Sequence, residues 1–191
     1  MQKRRLGPCV TFFPQPTTLI STRSEAGEVN LMTASWAGIV SKTPPTMAVS
    51  LNQGRQTYEN IRATGMFGVN GVPSSLVLEA DLCGVRSGRD LDKLEACHLD
   101  VEEGSVLPVP LLQQSPLNVE CRFDREIEIG DYRLILGEIV EIHAVEAAFD
   151  EDGTIDATVF DPLVYLGGVR EYWSLGERCG VAYRDGLKLL E

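Results

Sequence analysis

Histidine is almost missing from this chain: His98 and His143 are the only two among 191 residues. A zinc site or a Ser-His-Asp centre would have to use one of them. His98 follows a short helical stretch, His143 falls on a strand face, and no serine stands in a nucleophile-elbow context, so neither chemistry is expected. The cysteines (Cys9, Cys83, Cys97, Cys121 and Cys179) are odd in number and scattered, with no Cys-x-x-Cys spacing. That excludes a disulfide framework and leaves reduced thiols in a cytoplasmic protein as the simplest account. Basic residues are short, 17 against 28 acids, for a net charge of −11. Such a surface repels nucleic-acid phosphates and anionic membranes, although one local basic spot can still hold a small anion. No apolar run reaches the ~18 residues of a membrane span. The basic start Met1–Cys9 has no apolar stretch behind it, so a signal peptide is not expected. Gly-x-Gly-x-x-Gly is absent, and strands do not alternate with long helices, which excludes a Rossmann fold.

What remains is 43% hydrophobic and 24% charged, ordinary for one soluble domain over residues 1–191, with a lead-in at 1–16 and a tail at 177–191. Thr17–Arg23 and the run through Val29 and Leu31 read as a hairpin turning at Gly27. Ala37–Val40 is a third strand, and Pro44-Pro45 start a fourth, Thr46–Leu51, from outside. Thr57–Thr64 is helical in composition with Gly65 as its cap, and Met66–Asn70 is a strand. Ser74 or Ser75 is expected to cap a helix ending at Gly84. Ser87-Gly-Arg-Asp90 has capping-box spacing for a helix over Leu91–Ala96. From Leu117 the apolar period becomes two, and the turn Gly130-Asp131 joins two long strands, the second running from Tyr132 to Val145. Asp150–Gly153 is a polar turn without the ligand spacing of a calcium loop. The sum is a mainly β protein, an antiparallel barrel with short α decorations.

Within that pattern one stretch is unlike plain core. Asn30, Ser35 and Trp36 lie inside an apolar run, and Met47–Leu51 opens into Asn52-Gln-Gly-Arg-Gln-Thr57 at a helix start. Hydroxyls, amides and a guanidinium at such a start suit a phosphate-like anion, and a flat aromatic nearby suits a flat ligand. Acid–base machinery is sparse, which fits a protein whose cofactor carries the reaction.

The order and spacing of several short motifs resemble the flavin reductase-like family with an FMN-binding split barrel, in its flavoredoxin branch. The carriers are Leu19-Ile-Ser-Thr, Val29-Asn30, Ala34-Ser35-Trp36, Pro44-Pro45-x-x-Ala-Val-Ser50, Arg55-x-Thr57-Tyr58 and Phe67-x-Val-Asn70. They continue with Cys83-Gly84-x-x-Ser87-Gly88-Arg89-Asp90-x-Asp92-Lys93 and Asp161-Pro-x-x-Tyr165-x-Gly-Gly168. The resemblance covers about Thr17 to Gly176.

It implies non-covalent FMN, with Arg55, Gln56 and Thr57 on the phosphate and Ser50, Leu51 and Asn52 at the strand end toward phosphate or ribityl. Asn30, Ala34, Ser35 and Trp36 would lie at the ring. Ser87, Arg89 and Lys93 would supply a further polar and cationic edge, with Arg89 and Lys93, four apart, sharing one helix face. Taken singly these residues have plainer readings: Trp36 a core aromatic, Asn30 a turn residue, Thr57 a cap, Lys93 a solvated charge. Tyr165 and Tyr172 read as packing. Relatives commonly carry histidine after the Gly-Asp of the long hairpin. Here Tyr132 stands there, and its phenol can donate a similar hydrogen bond. The resemblance further implies a homodimer with FMN near the subunit interface, NADH or NADPH as electron donor, and an unnamed acceptor. Two alternatives stand beside a reductase: a flavoredoxin-type electron carrier, and a non-catalytic barrel serving as an interaction module.

Overall fold

The computed structural model describes residues 1–10 and 13–190; residues 11, 12 and 191 of the expected lead-in and tail lie outside the described residues. The strands are β1 (Pro14–Pro16), β2 (Thr18–Arg23), β3 (Val29–Ala34), β4 (Ala37–Lys42), β5 (Pro45–Asn52), β6 (Met66–Gly71), β7 (Val101–Glu103) and β8 (Pro110–Leu112). They continue with β9 (Leu117–Ile129), β10 (Tyr132–Ala144), β11 (Val164–Leu166) and β12 (Glu171–Trp173), and the helices are α1 (Gln56–Thr64), α2 (Val77–Val85) and α3 (Lys93–Cys97). Seven strands form one antiparallel sheet in the order β3-β2-β6-β9-β10-β5-β4.

Alternation along the strands divides the apolar residues between two cores. Ile20 and Met32 point to one side, with Val49, Phe67, Val119 and Ile135. Leu19 and Leu31 point to the other, with Ala80 and Cys83 of α2 and Cys97 of α3. Ala34 on edge strand β3 shares the first core with Met47 near the opposite edge, so the sheet curls until its ends meet around that core. This is the expected antiparallel barrel with short helices. At the bulge between Leu136 and Gly137, the strand passes the Phe67 ring so closely that a Cβ at 137 would lie 2.6 Å from it. Gly65 ends α1 at φ 72°, its N–H donating to the Ile61 carbonyl at 2.8 Å.

Three expectations are corrected. Ser74 does not cap α2, because its hydroxyl bonds the Asp161 carboxylate and a 3-10 turn, Ser74–Leu76, precedes the helix. Gly84 does not end α2, which runs on to Val85, with the Arg86 N–H donating to the Leu82 carbonyl at 3.0 Å. Ser87–Asp90 is a turn, with Ser87 Oγ accepting from the Arg89 N–H at 3.2 Å, and α3 starts only at Lys93. Asp92 wins the cap by accepting from the Glu95 N–H at 3.1 Å, since Gly88 weakens any helix begun at Ser87.

Two buried polar knots close the barrel's flank. Asn70 donates to the Leu19 carbonyl at 2.7 Å and Ser21 Oγ at 2.9 Å, and accepts from the Leu112 N–H and Asn118 Nδ2. Glu120, fully buried, accepts from the N–H groups of Ser105 at 2.6 Å, Val106 at 3.0 Å and Leu107 at 2.6 Å, and meets His143 Nε2 at 2.7 Å. Burial alone would raise its pKa, but His143 and the three amides prevail and hold it at about 2. A depressed carboxylate stabilises the fold above its unfolded pKa, and that stability drains away as pH falls toward the folded value. Glu120→Gln should therefore cost about 2–4 kcal/mol at pH 7. In urea titrations the gap to wild type should narrow between about pH 4.5 and pH 2.

Candidate functional site

The end of β5 and the start of α1 form the base of a cleft. Asn52 ends the strand and folds back, its Oδ1 accepting from the Gly54 N–H at 2.9 Å. Arg55 follows as N-cap in an extended conformation (φ −78°, ψ 139°) with no side-chain cap bond, so the first amides of α1 at Gln56 and Thr57 lack intrahelical acceptors. Thr57 is buried, and its hydroxyl accepts from Asn30 Nδ2 across the barrel mouth at 2.9 Å. The hairpin tip locks this loop in place. Gln53 N–H donates to the Asp131 carbonyl at 3.0 Å, Arg133 reaches Gln53 Oε1 at 2.7 Å, and Tyr132 is in register with Asn52.

The opposite wall is the Ser87–Asp90 turn. Gly88 faces the carboxamides of Asn30 and Gln56, whose oxygens are buried without a hydrogen-bond partner among the described residues. A Cβ at 88 would collide with Asn30 Oδ1 and lie 2.6 Å from Gln56 Oε1. A buried acceptor left without a donor costs about 1–3 kcal/mol, so these two oxygens are suited to meet a donor from a bound molecule. The enclosed volume is about 400 Å³, with Met32 and Tyr132 supplying apolar surface.

Cations ring this space although the chain carries −11 overall. Arg55 makes no ion pair among the described residues, and Arg86 also lines the cleft. Arg89 is held at the rim by Glu59 at 2.7 Å and the Gly54 carbonyl at 3.2 Å. Lys93 is only 5% exposed, and its ammonium donates to the carbonyls of Leu31 at 2.6 Å and Cys83 at 2.9 Å. Burial lowers its pKa, the nearby Cys83 thiol opposes that, and the Arg55 charge adds to it. A bound anion would relieve both the desolvation and the Arg55 repulsion.

The cleft thus gathers Asn30, Asn52, Arg55, Gln56, Thr57, Ser87, Arg89, Lys93 and Tyr132 from far-apart stretches. Others expected at the site lie elsewhere. Ala34 and Leu51 belong to the barrel core. Trp36 and Ser50 line a neighbouring hollow of about 370 Å³, and Ser35 lines neither space. Trp36 still touches the cleft wall through Tyr132, with ring centroids 5.2 Å apart at 45°. Arg89 sits ahead of α3, so it and Lys93 share the cleft but no helix face, and Lys93 is buried rather than solvated. Met32, Gly54, Arg86 and Gly88 were not anticipated as wall residues; only the glycine of the Ser87-Gly88-Arg89 motif offered a signal.

Residues 10–174 match the family model described as flavin reductase like domain. The chain superposes on flavoredoxin of Desulfovibrio vulgaris (Miyazaki F) with a TM-score of 0.91 at 30% identity, over 97% of this chain and 100% of that one. On flavoredoxin from Methanosarcina acetivorans the TM-score is 0.89 at 30% identity, over 99% and 100%. A curated Aeropyrum pernix protein described as uncharacterized is 32% identical over 153 residues, 80% of this chain but 57% of that protein's length.

The rim cation Arg89 and the buried cation Lys93 differ in what they hold. Arg89→Ala should change stability by less than about 1 kcal/mol, since its ion pair is exposed. Lys93→Met should cost about 1–3 kcal/mol by orphaning two carbonyls. Urea denaturation midpoints at neutral pH separate the two.

Proposed function

The chain belongs to the flavin reductase-like domain family, and from that premise we propose that it binds FMN non-covalently and takes hydride from NADH or NADPH, passing the electrons to a small or protein acceptor. The observation that carries this reading is the pair of carboxamide oxygens, Asn30 Oδ1 and Gln56 Oε1, that have no partner among the described residues, beside Arg55, which makes no ion pair among them, and the first amides of α1. That donor set fits the group: a phosphate at Arg55 and the helix start, and hydroxyl or N–H donors of the ligand toward the two oxygens. Bound there, FMN would supply the hydride-accepting and electron-releasing chemistry that no side chain of this protein offers. Arg55, Gln56 and Thr57 bind; Asn30, fixed by Thr57, orients; Lys93 places a positive charge at the cleft wall, which favours an electron-rich ligand. Tyr132 and Trp36 close one side with aromatic surface and limit access of water.

A second copy of the chain is the proposed partner. Ile39 and Val40 on β4 are 68% and 59% exposed, and Trp173 and Leu175 near β12 are 55% and 62% exposed, apolar surface of the kind an isologous interface covers. The acidic surface and the likeness to two flavoredoxins favour one second reading, an electron carrier that holds FMN but oxidises nicotinamide slowly. No helix among the described residues is long and apolar enough to cross a membrane.

An absorption spectrum, recorded before and after anaerobic addition of NADH and NADPH, tests the reading. A flavin spectrum that bleaches within seconds is expected; a stable yellow protein indicates the carrier, and failure to take up FMN refutes the cofactor assignment. Arg55→Ala with Thr57→Ala should weaken FMN binding by at least about tenfold, charge-assisted hydrogen bonds being worth roughly 1.5–3 kcal/mol each. Unchanged affinity would place the phosphate elsewhere.

A further inference from the structure

Two thiols meet in the second core, where α2 packs against α3. Cys83 is fully buried and Cys97 is 9% exposed, neither is in a disulfide, and a side-chain hydrogen bond joins them. The chain between them, residues 84–96, carries Arg86, Ser87, Gly88, Arg89 and Lys93, all the residues that this wall gives to the cleft. Lys93 draws the two ends together, its ammonium donating to the Cys83 carbonyl at 2.9 Å. Glu79 stands one turn before Cys83 on α2, and its charge is felt at both thiols. Its Oε2 is buried without a hydrogen-bond partner among the described residues. Burial raises the pKa of both thiols, that of Cys83 to about 12, so both stay protonated at neutral pH. Their mutual hydrogen bond raises Cys83 and lowers Cys97, which makes Cys97, the more exposed sulfur, the readier nucleophile.

We propose that Cys83 and Cys97 form a peroxide-sensitive dithiol, whose oxidation to a disulfide stiffens the cleft wall strung between them and slows ligand release. Glu79 is the base that takes the Cys97 proton. The Cys97 sulfur attacks hydrogen peroxide, forming an S–O bond as the O–O bond breaks. The departing hydroxide takes the proton from Glu79 and leaves as water. The Cys83 sulfur then attacks the Cys97 sulfur. The S–S bond forms, the S–O bond breaks, and the hydroxyl leaves with the Cys83 proton as a second water. Two electrons pass from the two sulfurs to the peroxide. The new bond closes residues 83–97 into a loop, which removes open arrangements of the wall that the reduced chain can visit. Cys121 is a built-in control, because it is buried in the other core and no thiol perturbs it.

Treatment with hydrogen peroxide, followed by peptide mapping without reductant and by amide hydrogen exchange, tests the proposal. Cleavage after Arg86, Lys93, Glu95 and Glu120 puts Cys83, Cys97 and Cys121 on separate peptides, so a joined pair names the sulfurs that bonded. The expected result is a Cys83–Cys97 pair with Cys121 still reduced. Exchange over residues 84–96 should slow by at least about tenfold and recover on adding a thiol reductant. In Cys97→Ala the same treatment should leave that exchange unchanged. The ligand arm rests on the flavin reading: FMN release from the oxidised protein should slow by at least about threefold. Absence of the pair, unchanged exchange over 84–96, or unchanged FMN release overturns the switch. Failure of FMN to bind either form sinks the flavin reading alone, because mapping and exchange need no ligand and still decide the dithiol.

Discussion

A cation held out of water fixes the geometry of this protein's cleft. The Lys93 ammonium reaches the carbonyl of Leu31 in β3 and that of Cys83 in α2 from the first residue of α3. One side chain thereby joins a barrel strand to two helices. The Ser87–Asp90 turn is strung between α2 and α3, so its position over Asn30 follows from that joint. Burying an ammonium with two neutral acceptors is a poor exchange for water. The fold tolerates it because the alternative, an apolar residue here, would leave the carbonyls unmet and the cleft without its deepest positive charge.

That local charge runs against the molecule as a whole. Excess carboxylates cover the surface, while Arg55, Arg86, Arg89 and Lys93 concentrate at one opening. An anion is therefore repelled over much of the surface and attracted at this opening. Salt weakens the outer repulsion more than the inner attraction, since the buried partner is screened least.

Much of the barrel was legible in the sequence because its signals are local. The period-two run from Leu117, Gly65 after an amphipathic helix and the Gly130-Asp131 turn each act over a few residues, and each forms as expected. The misreadings arose where a distant group outbid a local one. Ser74 gave its hydroxyl to Asp161, and Asp92 displaced Ser87 as a helix cap. At the site, the loop Asn52–Thr57 was readable as a helix start suited to an anion. The burial of Lys93 was not, because nothing in a charged residue's neighbours along the chain discloses carbonyls from β3 and α2. Ala34 and Leu51 went to the core for the same reason: a motif marks a stretch of chain, whereas strand alternation decides which of its side chains face the cleft.

The β9–β10 hairpin acts as a ruler. Its tip is tied to Gln53 and sets Tyr132 opposite Asn52, while its other end is anchored by Glu120 and His143. Removing one residue from each strand would draw the tip back by about 3.4 Å and turn the phenol to the other face of the sheet; removing two would keep the face and shift it by about 7 Å. A change of hairpin length in steps of two would therefore lengthen or shorten the reach of the aromatic side wall while leaving Asn30, Arg55, Gln56 and Thr57 untouched.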